Sequence, residues 1–321
     1  MVRYRFGADD LLRTRFAITP LIDLVGAVYA LRDPTRSPVH RPWAEWARPR
    51  IAHLDLKLLD AAAPSGTPHW PVFVGLPPAA PRSTIDAELK RVANTPLDEV
   101  RDEFGRTYPD GIPAAARGFA HDPAGTLAAL VEQMRAFWDA ALAPWWPLIS
   151  ATLEAEVAAR ARRLADDGPR AAFTDLHDSV RWEAGALCVE PTRKAPTEVD
   201  LAGRGLLLVP AAFTWPRVWP RTDPPWDPAL VYTPRGIGDL WSSGEPHRHA
   251  LESLLGRRRA TVLLDLQRPA STLDLARRLG VGAGSVSDHL RVLREAGLVT
   301  GRREGRQVIY ARTAKGDALC D

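Results

Sequence analysis

Near the C-terminus three residues stand at a spacing that few folds accommodate: Ala276, Gly280 and Val286, at relative positions 0, +4 and +10. A small residue lets two helices cross closely. A glycine four residues later turns the chain through the left-handed region without steric cost. A β-branched residue then fills the corner between the helices. The apolar residues on either side repeat at helical spacing: Leu273, Leu275 and Leu279 before the turn, Val286, Leu290 and Leu293 after it. The pattern predicts a helix over 272–279, a sharp turn at Gly280 and a second helix over 283–296, stopped by Gly297.

The surroundings extend this pair into a small domain. Upstream, one helix ends at Gly256 and another spans 258–266, with Val262, Leu263 and Leu266 inward. Downstream, strands over 298–302 and 307–312 are joined by a tight Glu304-Gly305-Arg306 turn. That hairpin carries Arg302, Arg303 and Arg306. Two helices crossed in this way form a helix-turn-helix, whose second helix enters the major groove of DNA, and the hairpin is a wing.

Charge divides the chain at the same place. Residues 247–321 hold 14 Lys and Arg against 8 Asp and Glu, while the remainder is net acidic and holds all 11 tryptophans. A basic, Trp-free segment behind an acidic, Trp-rich and Pro-rich one reads as a nucleic-acid module attached to a different domain. Arg outnumbers Lys 38 to 4 along the whole chain, which reflects genome base composition rather than phosphate binding.

The run Gly-Ser-Val-Ser-Asp-His-Leu-Arg-Val-Leu-Arg-Glu-Ala-Gly-Leu-Val from Gly284, the Arg-Arg-Glu-Gly-Arg of the wing and Tyr310 resemble the ArsR/SmtB family of bacterial repressors. The resemblance covers about a fifth of the chain. It implies that Ser285, Ser287 and His289, early in the second helix, contact DNA; Arg291 and Arg294, further along the helix, are candidates for the same role. It also implies that Arg302, Arg303 and Arg306 contact phosphates or the minor groove. Three departures stand out. No Cys-x-Cys lies in the helix before the turn, where metal-sensing members carry one, so no metal is expected there. The chain ends about ten residues after Tyr310, so the terminal dimerisation helix of the family is not expected. Asp288 stands where a basic residue is common.

The first 244 residues read as helices broken by prolines, with a small β portion. Thr19-Pro20 opens a helix whose Leu21, Leu24, Val25, Val28 and Leu31 share a stripe. A helix over 42–59 is expected to break near Pro49, and 61–83 to form a loop. Short helices follow over 85–92 and 97–104. The strongest helical region, 126–165, is expected to break at Pro144 or Pro147. Short apolar runs at 186–189, 205–209 and 230–232 suit strands, and 216–228 reads as an irregular loop. This region resembles an uncharacterised domain found ahead of such winged helices in high-GC bacteria, a likeness that brings no known ligand. Trp138, Trp145, Trp146 and Trp182 are candidates to line an apolar pocket.

Other motifs point to little. Gly280-Val-Gly282-Ala-Gly284 follows a helix rather than a strand and has serine at the last glycine position, so it is not a dinucleotide loop. Glu245, His247 and His249 read as a polar linker, without a third strong ligand nearby. Asp9-Asp10, Asp166-Asp167 and His177-Asp178 read as caps or solvated surface, and no G-x-S-x-G, H-E-x-x-H, Walker loop or C-x-x-C occurs. Neither catalysis nor a cofactor is expected. Cys188 sits in an apolar run and reads as a small core residue. Nothing resembles a signal peptide or a membrane span, so the cytoplasm is expected.

The sequence therefore predicts an α+β chain: a mostly helical domain over 1–244, which dimerises and senses a signal, then a winged helix-turn-helix over 245–321. The expected function is a DNA-binding transcriptional regulator, a repressor, with double-stranded DNA, a second copy of the chain and a small-molecule effector as partners. The alternative is an enzyme or a protein-binding domain tethered to DNA by the winged helix.

Overall fold

The computed structural model describes residues 1–35, 37–64, 66–67, 69–190, 196–222, 224–241, 246–304 and 307–320; the side chains of Pro169 and of residues 246–250 are not described. The chain divides into two compact units, Met1–Trp241 and Ser242–Asp321. The architecture is α+β.

The first unit opens with β1 (Val2–Arg5), α1 (Ala8–Arg13) and β2 (Arg15–Phe16). Then α2 (Pro20–Arg32) starts where expected: the Thr19 side chain accepts the Leu21 amide and Pro20 occupies the first turn. This helix is buried nearly all round, because Leu21, Leu24, Val25 and Val28 join a large helical core while Ile22 packs on a sheet. Next come α3 (Arg41–Ile51) and α4 (Lys57–Ala62). Pro49 lies inside α3, so the break expected there falls instead after Ile51. The segment expected as a loop over 61–83 contains a buried 3₁₀ turn, Val72–Gly75.

Helices α5 (Ile85–Ala93), α6 (Leu97–Thr107), α7 (Gly118–His121), α8 (Pro123–Phe137) and α9 (Trp146–Asp167) complete the helical layer. The Asp122 side chain caps α8. Between α8 and α9 the backbone widens through one π turn, Trp138–Leu142, and α9 restarts with Pro147 in its first turn, so the break lies at the prolines. Leu127, Leu130, Met134 and Phe137 of α8 fill the core with Trp43, Phe104 and Phe119.

The β portion is larger than the sequence suggested. Strands β3 (Val180–Glu183), β4 (Ala186–Val189) and β5 (Thr197–Asp200) join β1 in the order β3-β4-β1-β5. Strands β6 (Leu207–Pro210), β7 (Trp219–Arg221) and β8 (Ala229–Tyr232) join β2 in the order β2-β6-β8-β7. β7 lies within the stretch expected to be irregular. β6 and β8 are parallel and buried on both faces, which accounts for their uninterrupted apolar runs. Leu208, Leu230 and Tyr232 face a core shared with Val2, Tyr4 and Leu187; Leu207, Val209 and Val231 face one shared with Ala17 and Ile22. The Tyr4 hydroxyl donates to the Ala229 carbonyl at 2.9 Å and so links the two sheets. Cys188 is buried, as expected for a small core residue. A short α10 (Ile237–Leu240) closes the unit, with Trp241 buried behind it.

The second unit contains α11 (Pro246–Leu255), α12 (Arg257–Asp265), β9 (Ala270–Ser271), α13 (Thr272–Leu279), α14 (Ala283–Glu295), β10 (Val299–Glu304), β11 (Gln307–Arg312) and α15 (Ala314–Cys320). Its strands form an antiparallel sheet ordered β10-β11-β9. Its core joins Leu251, Leu263, Leu275, Val286, Leu290 and Val299. The terminal helix α15 corrects the expectation that none would form. It packs against α11, α12 and β11. Gly316 lies so close under the Leu298 carbonyl that a Cβ there would sit 2.1 Å from its oxygen, so this helix position admits only glycine.

Candidate nucleic-acid interface

The interface begins with the turn. The Ser271 side chain accepts the Asp274 amide and the Asp274 carboxylate caps the Ser271 amide, which starts α13. The Ser271 hydroxyl also donates to the Asp274 carboxylate at 2.6 Å, and this bond, with that from the Ser271 amide, holds the Asp274 carboxyl below its ordinary range. Gly280 terminates α13 at φ 63°, in the left-handed region, and Gly282 begins α14. Ala276 and Val286 are buried at the crossing of α13 and α14, as their spacing predicts.

Val286, Leu290 and Leu293 anchor the inner face of α14. At about 100° per residue, the candidate contact residues then fall on two different flanks. Ser285 and His289 share one, with Ser285 Oγ 3.4 Å from His289 Nε2. Ser287, Arg291 and Arg294 share the other, each about one turn from the next. Asp288 and Glu295 occupy the outward line between the flanks, both exposed. The structure therefore brings together two groups rather than one patch, with an acidic line between them.

The arginines of this unit separate into structural and available groups. Arg312 is held inside, donating from Nε to the Leu263 carbonyl at 2.8 Å and from a terminal nitrogen to the Leu264 carbonyl at 2.6 Å. Arg278 pairs with Asp265 at 2.8 Å. Arg291 and Arg302 make exposed ion pairs with Glu295 and Glu304 at 3.3 and 3.6 Å, contacts worth little in water. Arg294 and Arg303 are exposed, with no acceptor among the described residues. Alternation along β10 puts Arg302 and Arg303 on opposite faces of the wing. On the inner face the Tyr310 ring lies against Gly301, where a Cβ would be 3.0 Å from it. Arg306 and Gly305 lie outside the described residues, as do Glu245 and the side chains of His247 and His249. No group of three metal-ligating side chains occurs among the described residues.

The four tryptophans proposed for a pocket do not converge. Trp138 and Trp145 are packed into the helical core, and Trp146 stacks edge-on against Trp138 at 5.2 Å. Trp182 belongs to a separate cluster, stacked on Phe173 at 5.2 Å and tilted against Phe6 at 4.9 Å. Two residues that sequence reasoning passed over are Asp23 and His40, both fully buried. Asp23 Oδ1 accepts the Phe213 amide at 3.0 Å, and burial pushes its carboxyl up to about 7. His40 Nδ1 accepts the Trp241 indole N–H at 3.2 Å, and burial pulls its imidazole down to about 3. The available signal was an acid at the centre of the apolar run Leu21–Val28.

Residues 254–302 match a helix-turn-helix domain family. Residues 113–236 match a family of unknown function, DUF5937, so β1 and β2 complete sheets whose other strands lie within that match. Among curated proteins, the HTH-type transcriptional regulator NmtR of Mycobacterium tuberculosis is 40% identical over 62 residues, which cover 19% of this chain and 52% of that protein. The chain thus spans about half the length of the curated relative it matches. No solved structure matches the chain. The resemblance to ArsR/SmtB-type winged helices is borne out for the C-terminal unit, behind a separate domain of unknown function.

Proposed function

We propose that this chain is a sequence-specific DNA-binding transcriptional regulator that represses by occupying its operator. One observation carries the reading: a tightly turned helix pair presents Ser285 and His289 on an exposed helix flank, while Arg294 and Arg303 are exposed and have no acceptor among the described residues. Base contacts specify sequence and phosphate contacts position the protein, and the two sets match those roles. The likeness of residues 254–302 to helix-turn-helix domains supports the same assignment.

Such a protein works as a homodimer, with recognition helices roughly 34 Å apart on one face of the duplex. The presence of α15 removes the argument that only the N-terminal unit can make the dimer. Leu254 of α11, 68% exposed, offers apolar surface for self-association in the second unit. The N-terminal unit is then free to receive a small-molecule signal, which shifts DNA affinity only to the extent that it favours one state of the protein.

Selection from a random duplex library by the full chain tests this reading. Enrichment of an inverted repeat is expected, with enrichment lost in His289→Ala. A folded protein that recovers only unselected sequences would overturn specific recognition.

A further inference from the structure

The N-terminal unit has a cleft of about 290 Å³ at the outer edge of β2, where the β2-β6-β8-β7 sheet ends. Arg15 and Ala17 donate their amides inward, to the Leu206 and Leu208 carbonyls. Alternation along the ladder turns the Phe16 amide to the outer edge. The segment running along that edge is Pro77-Pro78-Ala79-Ala80-Pro81, fixed by the Ile18 amide on the Pro81 carbonyl at 3.0 Å. Prolines cannot donate to the ladder, so they wall the cleft without closing it. Pro225, Trp226 and Asp227 also line it.

Two guanidinium groups enter this space, and both are held in place. Arg91 donates to Glu88 at 2.8 Å and to the Pro77 carbonyl at 2.9 Å, and lies 5.9 Å from the centre of the Trp226 ring. Glu88 is itself buried, which fixes Arg91 from behind. Arg15 donates to Asp227 at 2.6 Å and to the Arg204 carbonyl at 3.2 Å. The Arg15–Asp227 pair is about half exposed on both sides, so an incoming anion exchanges with it at little cost. The cleft combines an indole face, proline walls, an outward backbone amide and two oriented cations beside one lining carboxylate.

We propose that this cleft binds a small aromatic carboxylate, with its ring against Trp226 and the prolines and its carboxylate between Arg15 and Arg91. Planar, forked guanidinium donors suit a carboxylate, and Trp226 suits a flat ring. The inference deepens the proposed function and rests on its reading of the N-terminal unit as the part that receives a signal.

Calorimetric titration of the full chain with benzoate, benzyl alcohol and acetate tests it, with a duplex-binding assay on the same preparations. Saturable benzoate binding is expected, at least about tenfold tighter than either partial analogue. Arg15→Gln and Arg91→Gln should each weaken it by a similar factor without changing the circular dichroism spectrum. Should Arg91→Gln unfold, Arg15→Gln and the three-ligand comparison still decide. No saturation by benzoate, equal binding of acetate, or an unchanged affinity in Arg15→Gln would each overturn the site. Benzoate binding without duplex binding would sustain the cleft and remove the regulator; duplex binding without benzoate binding would do the reverse.

Discussion

Ser285 Oγ lies 3.4 Å from His289 Nε2, one turn along the exposed flank of α14, while the exposed Arg303 sits on the wing. This separation of a hydrogen-bonding pair on the helix from an exposed guanidinium on the wing divides the labour of recognition. His289→Ala should reduce the preference for operator over unrelated duplex by about 1–3 kcal/mol, the worth of a good base contact. Arg303→Ala should weaken both duplexes together. Equal effects of the two substitutions on the affinity ratio, measured by competition, would undo this division.

Asp288 stands on the outward line of α14 with Glu295, between the two polar flanks. A carboxylate there repels phosphate whatever the sequence. Asp288→Asn should therefore tighten binding to unrelated duplex and lessen discrimination. Weaker binding to all duplexes on filter assay would instead make Asp288 a contact residue.

Gly280 holds φ 63° in open space, so an added methyl group meets backbone strain and no neighbour. Gly280→Ala should cost about 1–2 kcal/mol. Faster amide exchange in α13 and α14, with α8 and α9 unchanged, is the expected signature. Unaltered exchange in α13 would show that the turn has another accessible geometry.

Asp23 and His40 pull the pH dependence of stability in opposite directions. Between pH 3.8 and about 7 the folded protein keeps a proton on Asp23 that the unfolded chain has lost, so stability falls as pH rises. Between about 3 and 6.5 the unfolded chain protonates His40 while the folded protein does not, so stability rises with pH. Each slope is at most about 1.4 kcal/mol per pH unit, and they offset each other where they overlap. Urea titrations should show Asp23→Asn gaining stability relative to wild type as pH rises from 4 to 7, and His40→Gln losing it over 4 to 6.5. Parallel profiles for both variants and wild type would contradict these protonation states.

The winged helix was legible because each local signal agrees with the others. Ala276 and Gly280 mark the crossing and the turn, and Val286, Leu290 and Leu293 repeat at helical spacing. The grouping of its contact residues was less legible, since a list of polar positions does not separate two flanks of one helix. Helix α15 escaped notice because it is short and its stability is tertiary, with Gly316 pressed under Leu298. Strands β1 and β2 are likewise short, and their partners are far along the chain: Val2 pairs with Val189 and Arg15 with Leu207. The tryptophans announced apolar surface but not which core would take each one. Trp138 and Trp182 entered different cores because they lie on different elements, a π turn and an edge strand.

Salt dependence of duplex binding tests the central claim most directly. Anisotropy of a labelled operator selected by the full chain should give a linear fall of log affinity with log salt, losing about 0.9 from the slope for each phosphate contact removed. Arg294→Gln and Arg303→Gln together should flatten the slope while the protein stays folded. A folded wild-type chain that binds no duplex at low salt, or a slope unchanged by both substitutions, would contradict the account.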